Sequence, residues 1–313
     1  MTDELSFEGQ VAIITGSARN MGRTHALDIA ARGGSVVVND ILRDDADAVV
    51  AEIADLGGRA VASYDSVATP EGGQAVADLA LRHFGRIDVL IHNAGFLRNN
   101  YFEDLTDDQL EEVLGVHLKA AFYVGRPAYR SMVKNGYGRI VLISSAVGIF
   151  GRTGQANYAS AKAGMFGLSN ALAHEGEPHG IRVNSVLPKA IGQIAKDRPQ
   201  PGMETLREWA TVLDSRRIPE AVTPLVTFLA SRACYVTGEL FSACAGCYSR
   251  VFVGLASGWL APDATVVTAE AIQAHFDEVE DHGFAGLIPR SPYDEMRSVH
   301  ERLQVAGYLA STA

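Results

Sequence analysis

Tyr158 and Lys162 stand four residues apart in the run Tyr158-Ala159-Ser160-Ala161-Lys162. On a helix that spacing puts the phenol and the ammonium on one face. A neighbouring cation favours a phenolate, so the pair is expected to lower the tyrosine pKa and let Tyr158 move a proton near neutral pH. The spacing alone is common by chance. Ser145, 13 residues upstream, sharpens it, because its hydroxyl could hold a carbonyl or alkoxide oxygen beside the phenol. Ser144 is the adjacent candidate, and the alternation of a strand lets only one of the two face a site readily.

A second group of residues suits a dinucleotide. Thr15-Gly16-Ser17-Ala18-Arg19-Asn20-Met21-Gly22 joins an apolar run to a helical pattern. Glycines there let the backbone approach a pyrophosphate, and the helix N-terminus supplies donors and positive potential. Asp40 follows 18 residues after Gly22. A carboxylate at that place accepts bonds from ribose hydroxyls and repels a 2′-phosphate. Arg19 points the other way, since a cation in the loop could meet that phosphate. Asp40 carries more weight, and NAD is expected over NADP. Asp65 could meet the adenine amino group, and Asn93-Ala94-Gly95 offers small residues against which a cofactor can lie.

The elements that must position these groups alternate along the chain. Strands are expected at Val11–Thr15, Ser35–Asp40, Arg59–Tyr64, Ile87–Asn93, Gly138–Ser144, Ile181–Leu187 and Glu239–Ala243. Helices are expected at Met21–Arg32, Asp44–Leu56, Pro70–Phe84, Thr106–Val133 (as one helix or a pair), Tyr158–Glu175, Met203–Leu213 and Pro219–Leu229. The strands are continuous apolar runs, the mark of strands buried on both faces. This predicts an α/β fold with a doubly wound, Rossmann-like parallel sheet of seven strands, which binds ligands at the carboxyl ends of its strands. Each motif above falls at such an end. Residues 1–249 would form this domain and residues 250–313 a helical C-terminal extension packed on the core or on a neighbouring subunit. Its helices are expected near Thr268–Glu280 and from Ser291 onward, with Ser291 as N-cap and Pro292 in the first turn.

Composition narrows the function classes. The chain has 313 residues, 47% of them apolar, and a net charge of −10. That charge gives a nucleic acid or an anionic membrane no electrostatic support, and no apolar run reaches the length of a membrane span. Three cysteines argue for a reducing compartment. With an acidic N-terminus unlike a targeting peptide and no terminal address at Ala310–Ala313, the cytoplasm is expected. Cys244 and Cys247 form a lone C-x-x-C without further ligands nearby, so they read as packed thiols and no metal is expected.

In these residues the chain resembles the short-chain dehydrogenase/reductase family over about residues 7–245. Within it, the chain is most similar to the (3R)-hydroxyacyl-CoA dehydrogenase branch of the type 2 peroxisomal multifunctional enzymes. That likeness is carried by Val36–Asp40, Tyr64–Val67, Val116–Lys119 and Gly136–Val141 running on to Gly154–Tyr158. The resemblance implies hydride transfer between NAD and a secondary alcohol or ketone, with a 3-hydroxyacyl thioester as the preferred substrate and a steroid or other hydrophobic alcohol as the alternative. Tyr158 would act as general acid/base, Ser145 would polarise the carbonyl, and Lys162 would hold the nicotinamide ribose. Gly16, Ser17, Arg19, Asn20, Met21, Gly22, Asp40, Asp65, Ser66, Asn93, Ala94, Gly95, Pro188 and Ile191 would line the cofactor with Tyr158 and Lys162. A homodimer or homotetramer packed through the long helices would be usual.

Departures stand at four positions. Asn20 replaces the middle glycine of the loop. His117 stands where most members have the asparagine that anchors a relay water, and is read as its substitute. Lys189 and Gln193 replace residues near the nicotinamide. Lys189, Lys196 and Arg198 could attract an anionic substrate such as a CoA thioester. A non-catalytic dinucleotide-binding scaffold on the same fold is the competing class. The joint presence of Ser145, Tyr158 and Lys162 argues against it.

Overall fold

The computed structural model describes residues 4–190 and 214–280, together with 288, 298, 301–303, 305 and 306. The expected helix at Met203–Leu213 lies outside the described residues, as do Ile191, Gln193, Lys196 and Arg198; of the helix expected from Ser291 onward, residues 298, 301–303 and 305 are described and are helical. Contacts divide the chain into two compact units, Met1–Arg250 and Val251–Ala313.

The first unit is built on a sheet of strands β1 (Val11–Thr15), β2 (Ser35–Asn39), β3 (Arg59–Ser63), β4 (Val89–His92), β5 (Gly138–Ile143), β6 (Ile181–Lys189), β7 (Leu240–Cys244) and β8 (Cys247–Val251). Their order is β3-β2-β1-β4-β5-β6-β7-β8, and β1 to β7 are parallel. Every residue of β1 and β2 is buried, as their unbroken apolar runs require. Alternation divides β1 between two cores. Ala12 and Ile14 pack with Ala26 and Ile29 of α1 (Asn20–Ala31) and with Val226 and Leu229 of a helix at Thr223–Ala230. Val11 and Ile13 pack with Val76 and Ala80 of α3 (Pro70–Phe84) and with Val124 and Ala128 of α5 (Ala120–Asn135). Here α2 is Arg43–Asp55, α4 is Asp107–Leu114, α6 is Val147–Phe150, α7 is Ala156–Gly176 and α8 is the Thr223–Ala230 helix.

Winding reverses between β1 and β4, which opens a crevice at their carboxyl ends. Local chemistry sets the helix ends that face it. Thr69 caps α3 ahead of Pro70, and Thr106 forms a capping box with Gln109 at the start of α4. Between α4 and α5 the helix widens into a π segment, Gly115–Lys119, so the expected long helix is continuous with one widened turn. In the second unit, the helix expected over Thr268–Glu280 breaks at His275 into α9 (Ala269–Ala274) and α10 (Phe276–Val279), with Thr268 capping the first.

The sheet has eight strands rather than seven. Strand β8 was not expected because its residues are exposed up to Val251 and carry no apolar run. It follows β7 through the two-residue turn Ala245-Gly246, in which both residues have positive φ (51° and 86°). That is the twist a type I′ hairpin demands, reached here without the usual Asn-Gly signal. The same turn corrects the reading of the cysteines as packed thiols: Cys247 is exposed and Cys244 half-buried, while Cys234 is the buried one. Alanine has no side-chain compensation for the left-handed region, which costs an L-residue about 1–2 kcal/mol. Ala245→Asn is therefore expected to raise stability by about 0.5–1 kcal/mol, read as an increased urea midpoint with unchanged m-value.

Candidate active site

Loop Gly16–Asn20 crosses the crevice. Gly16 has φ +62°, and a Cβ there would lie 2.6 Å from the Cα of Ala94. A Cβ on Gly22 would lie 2.1 Å from the Gly16 carbonyl oxygen. Both positions therefore require glycine to close the loop on the turn after β4. Asn20 adopts φ +49°, a conformation that asparagine tolerates better than other side chains, which accounts for its standing at a glycine position. The Asn93 side chain pins the loop by donating to the carbonyls of Thr15 (3.2 Å) and Gly16 (2.8 Å).

A cavity of about 440 Å³ runs along this loop. Of the residues expected there, Gly16, Arg19, Asn20, Met21, Asp40, Asp65, Ser66, Asn93, Ala94 and Gly95 line it. Ile41, Leu42, Val67, Phe96, Val116 and Ala190 also line it, and sequence reasoning missed them because nothing marks an isolated apolar residue as a cavity wall. Ser17 is a correction. Its side chain is fully buried and donates to the Ile14 carbonyl at 2.7 Å, so it braces the loop from behind. Gly22 is buried behind the loop, and Pro188 sits within β6 opposite Ala243, so neither is among the lining residues. Asp40 is oriented by two backbone donors, Ala18 N–H and Leu42 N–H, each at 3.1 Å. Arg19 is ion-paired with Asp45 at 2.5 Å. The size, the glycine-lined floor and the terminal carboxylate fit a dinucleotide.

The second cluster lies beyond the β4 turn. The Ser145 hydroxyl accepts from Val147 N–H at 3.2 Å and hydrogen-bonds the Tyr158 phenol. Ser144 turns the other way, is buried, and donates to the Lys162 carbonyl at 2.8 Å. The choice between the two serines is thus made by alternation at the end of β5. Lys162 is 3% exposed, its ammonium donates to the Ile143 carbonyl, and its Nζ lies 5.7 Å from the centre of the Tyr158 ring.

Solvation corrects one expectation here. Burial pushes the Tyr158 phenol above its ordinary pKa, opposed by the hydrogen bond from Ser145. Lys162 does not lower it. Burial takes Lys162 itself down to about 7, so its own charge is only partly present near neutrality.

His117 occupies the π segment and meets the Tyr158 ring edge-on, with centroids 5.1 Å apart. Its Nε2 lies 2.8 Å from the Phe96 carbonyl oxygen and 3.2 Å from the Phe96 N–H, while its Nδ1 is buried without a partner. Gly95 is a glycine for this ring, since a Cβ there would lie 2.0 Å from Cε1. Burial, then the nearby Lys162, hold His117 well below its ordinary pKa. Two further residues escaped the sequence reading. The buried His92 joins the Thr15 hydroxyl (3.0 Å) to the His117 carbonyl (3.0 Å). Asn157, 1% exposed, accepts from Tyr158 N–H at 2.8 Å and donates to the carbonyls of Arg98 and Gln109, both at 3.1 Å. It ties the start of α7 to the wall opposite.

A phenol bonded to a serine hydroxyl, beside a buried lysine and next to a dinucleotide-sized cavity, is an arrangement that can couple proton transfer to hydride transfer at an alcohol or ketone. The sequence matches the family model for short chain dehydrogenases over residues 10–197, and the chain belongs to that family. It is 41% identical to mouse peroxisomal multifunctional enzyme type 2 over 256 residues, which are 79% of this chain and 33% of that one. It is 34% identical to the 3-oxoacyl-(acyl-carrier-protein) reductase of Escherichia coli over 249 residues, 78% of this chain and 99% of that one. The structure of full-length peroxisomal multifunctional enzyme type 2 from Drosophila melanogaster superposes with a TM-score of 0.79 at 29% identity, covering 96% of this chain and 50% of that one. The chain thus spans about a third of the length of the mouse relative.

The buried histidines make stability depend on acidity. Burial lowers His25 to about 3 and His92 to about 4, against 6.5 for a free imidazole. Between pH 6.5 and 4 the unfolded chain therefore binds more protons than the folded one, and stability falls as pH falls. Each group contributes about 1.4 kcal/mol per pH unit across that window. Urea midpoints measured from pH 7 to 4 are expected to drop steeply, with a shallower drop in His25→Asn. An unchanged slope in that variant would show that His25 is not held neutral.

Proposed function

We propose that the chain is an NAD-linked dehydrogenase that oxidises a 3-hydroxyacyl thioester to the 3-oxoacyl thioester. For NAD, the observation that carries the reading is Asp40, held by two backbone donors at the end of the cavity where the adenosine ribose would lie. Its carboxylate suits two ribose hydroxyls and opposes a 2′-phosphate. For the substrate, support comes from the E. coli reductase, named for a 3-oxoacyl group and matched over nearly its whole length. Lys189, exposed at the end of β6, is placed to meet an anionic group.

Gly16, Asn20, Met21, Asp40, Asp65, Ala94 and Gly95 would hold the cofactor, which when bound supplies the hydride acceptor. The protein's own part is proton management. Ser145 holds the substrate oxygen through its hydroxyl. Tyr158 takes the proton of the alcohol at its phenol oxygen, and in the reverse direction returns it. Lys162, poised near pKa 7, exchanges a proton at neutral pH without a large penalty for either state. His117, with Nδ1 free of any protein partner, serves as the relay group beside Tyr158. The free thiols agree with the cytoplasmic reading, while five of the relatives are named peroxisomal.

Turnover of 3-hydroxyacyl-CoA, steroid and simple alcohol panels with NAD or NADP tests this. Tyr158→Phe is expected to lower kcat by about 10²–10⁴-fold with the fold intact by circular dichroism. Unchanged activity in that variant would sink the mechanism. Preference for NADP would overturn the role given to Asp40, and NAD binding without any turnover would favour the scaffold class.

We also propose a second copy of the chain on the face of α5 and α7. A cavity of about 620 Å³ there is lined by Phe122, Tyr129 and Leu172, with Arg130 and Glu175 at hand for a two-fold partner. Gly125 and Gly167 open onto empty space, and the buried Tyr129 hydroxyl lacks a partner. Light scattering is expected to give a dimer or tetramer that Gly167→Arg splits. A monomeric parent protein at tens of micromolar would refute it.

A further inference from the structure

Two arginines at the start of α1, Arg19 and Arg23, are both paired with acids of α2. Arg19 caps the start of α1 and lines the cavity beside Asp40. It is the guanidinium nearest in sequence to the phosphate-binding loop, and by position it is the group that could neutralise a 2′-phosphate. Its partner is Asp45, in the first turn of α2, at 2.5 Å. One turn further along α1, Arg23 is taken by both oxygens of Glu52 at 2.6 Å, again from α2. Arg43, at the head of α2, lies 3.7 Å over the ring of Tyr64, whose hydroxyl donates to Asp47. Acids of α2 therefore occupy both Arg19 and Arg23.

We propose that Asp45 is a cofactor-specificity residue, which enforces the choice of NAD by holding Arg19 away from the place of a 2′-phosphate. This rests on the reading of Asp40 as a ribose-binding carboxylate and adds a second, separable determinant. Asp40 acts directly, as a negative charge facing the ribose. Asp45 acts through Arg19, and it is a positioning residue that does not line the cavity. The pair is half-exposed, with side-chain exposures of 56% for Arg19 and 37% for Asp45, so little stability rides on it. Its worth is in what the guanidinium is not free to do. A phosphate would have to compete with a carboxylate already in place. Asp40 and Asp44 are the remaining acids close in sequence to the pair. Asp40 is already held by Ala18 and Leu42.

Calorimetric titration with 2′,5′-ADP and with AMP isolates the 2′-phosphate, because the ligands differ only in that group. The parent protein should bind AMP more tightly. In Asp45→Asn the ratio of 2′,5′-ADP to AMP affinity should rise about tenfold, close to 1.4 kcal/mol, and the gain should shrink in high salt. Arg19→Ala added to Asp45→Asn should abolish the gain. A ratio within twofold of the parent in Asp45→Asn overturns the proposal, and so does a gain that persists without Arg19. A parent protein that prefers 2′,5′-ADP overturns the NAD reading itself, before any variant is made.

Discussion

Thr15 ends β1 with its hydroxyl fully used. It accepts from the backbone N–H groups of Asn93 (3.0 Å) and Ala94 (3.1 Å) and lies 3.0 Å from His92 Nδ1. A hydroxyl has two lone pairs and one proton, so with both lone pairs taken it must donate to His92. His92 Nδ1 is then the acceptor and Nε2 carries the proton, which it gives to the His117 carbonyl. One buried oxygen thereby fixes a tautomer and joins the loop that faces the cofactor to the segment that carries His117. Thr15, His92 and His117 are buried, where a broken bond would leave an unsatisfied polar group costing about 1–3 kcal/mol. Burial, with Lys162 nearby, lowers the His92 pKa and so favours the same neutral ring.

The cluster around Tyr158 is a place where charge is costly and protons are not. Burial raises Tyr158, lowers Lys162 to about 7 and lowers both His92 and His117. Each shift has the same sign in energy: the neutral form is favoured. A base poised this way does not sit charged in the resting protein. It becomes charged when an incoming group compensates it, which ties proton movement to occupancy of the site.

Much of this was legible in the sequence, and the reasons for the rest are physical. Buried parallel strands read as unbroken apolar runs, so β1, β2 and the others up to β7 could be placed, and with them every motif at a strand end. Ser145 could be preferred over Ser144 only by alternation, and alternation is what the structure obeys. The spacing of Tyr158 and Lys162 spoke of proximity but not of solvation, so the direction of the tyrosine shift was misread. Strand β8 was invisible because it is exposed and because Ala245 carries a turn that asparagine usually announces. Thr15, His92 and Asn157 act largely on backbone atoms, and a partner that is a carbonyl or an N–H leaves no residue type to recognise.

The π segment shows how such backbone effects reach the chemistry. An α-helix running unbroken from Asp107 to Asn135 would commit each of its interior carbonyls to the residue four places on. Widening at Gly115–Lys119 relaxes that pattern over one turn. The His117 carbonyl is there met by His92, while the ring of His117 lies against Gly95 and edge-on to Tyr158. Gly95 can accept the ring only because it lacks a Cβ, so the glycine after β4 serves the histidine as much as any ligand. Alanine at that position would displace the imidazole from the tyrosine without touching Tyr158 or Lys162. The geometry around Tyr158 therefore depends on a helix irregularity, a missing methyl group and a hydroxyl at the far end of β1.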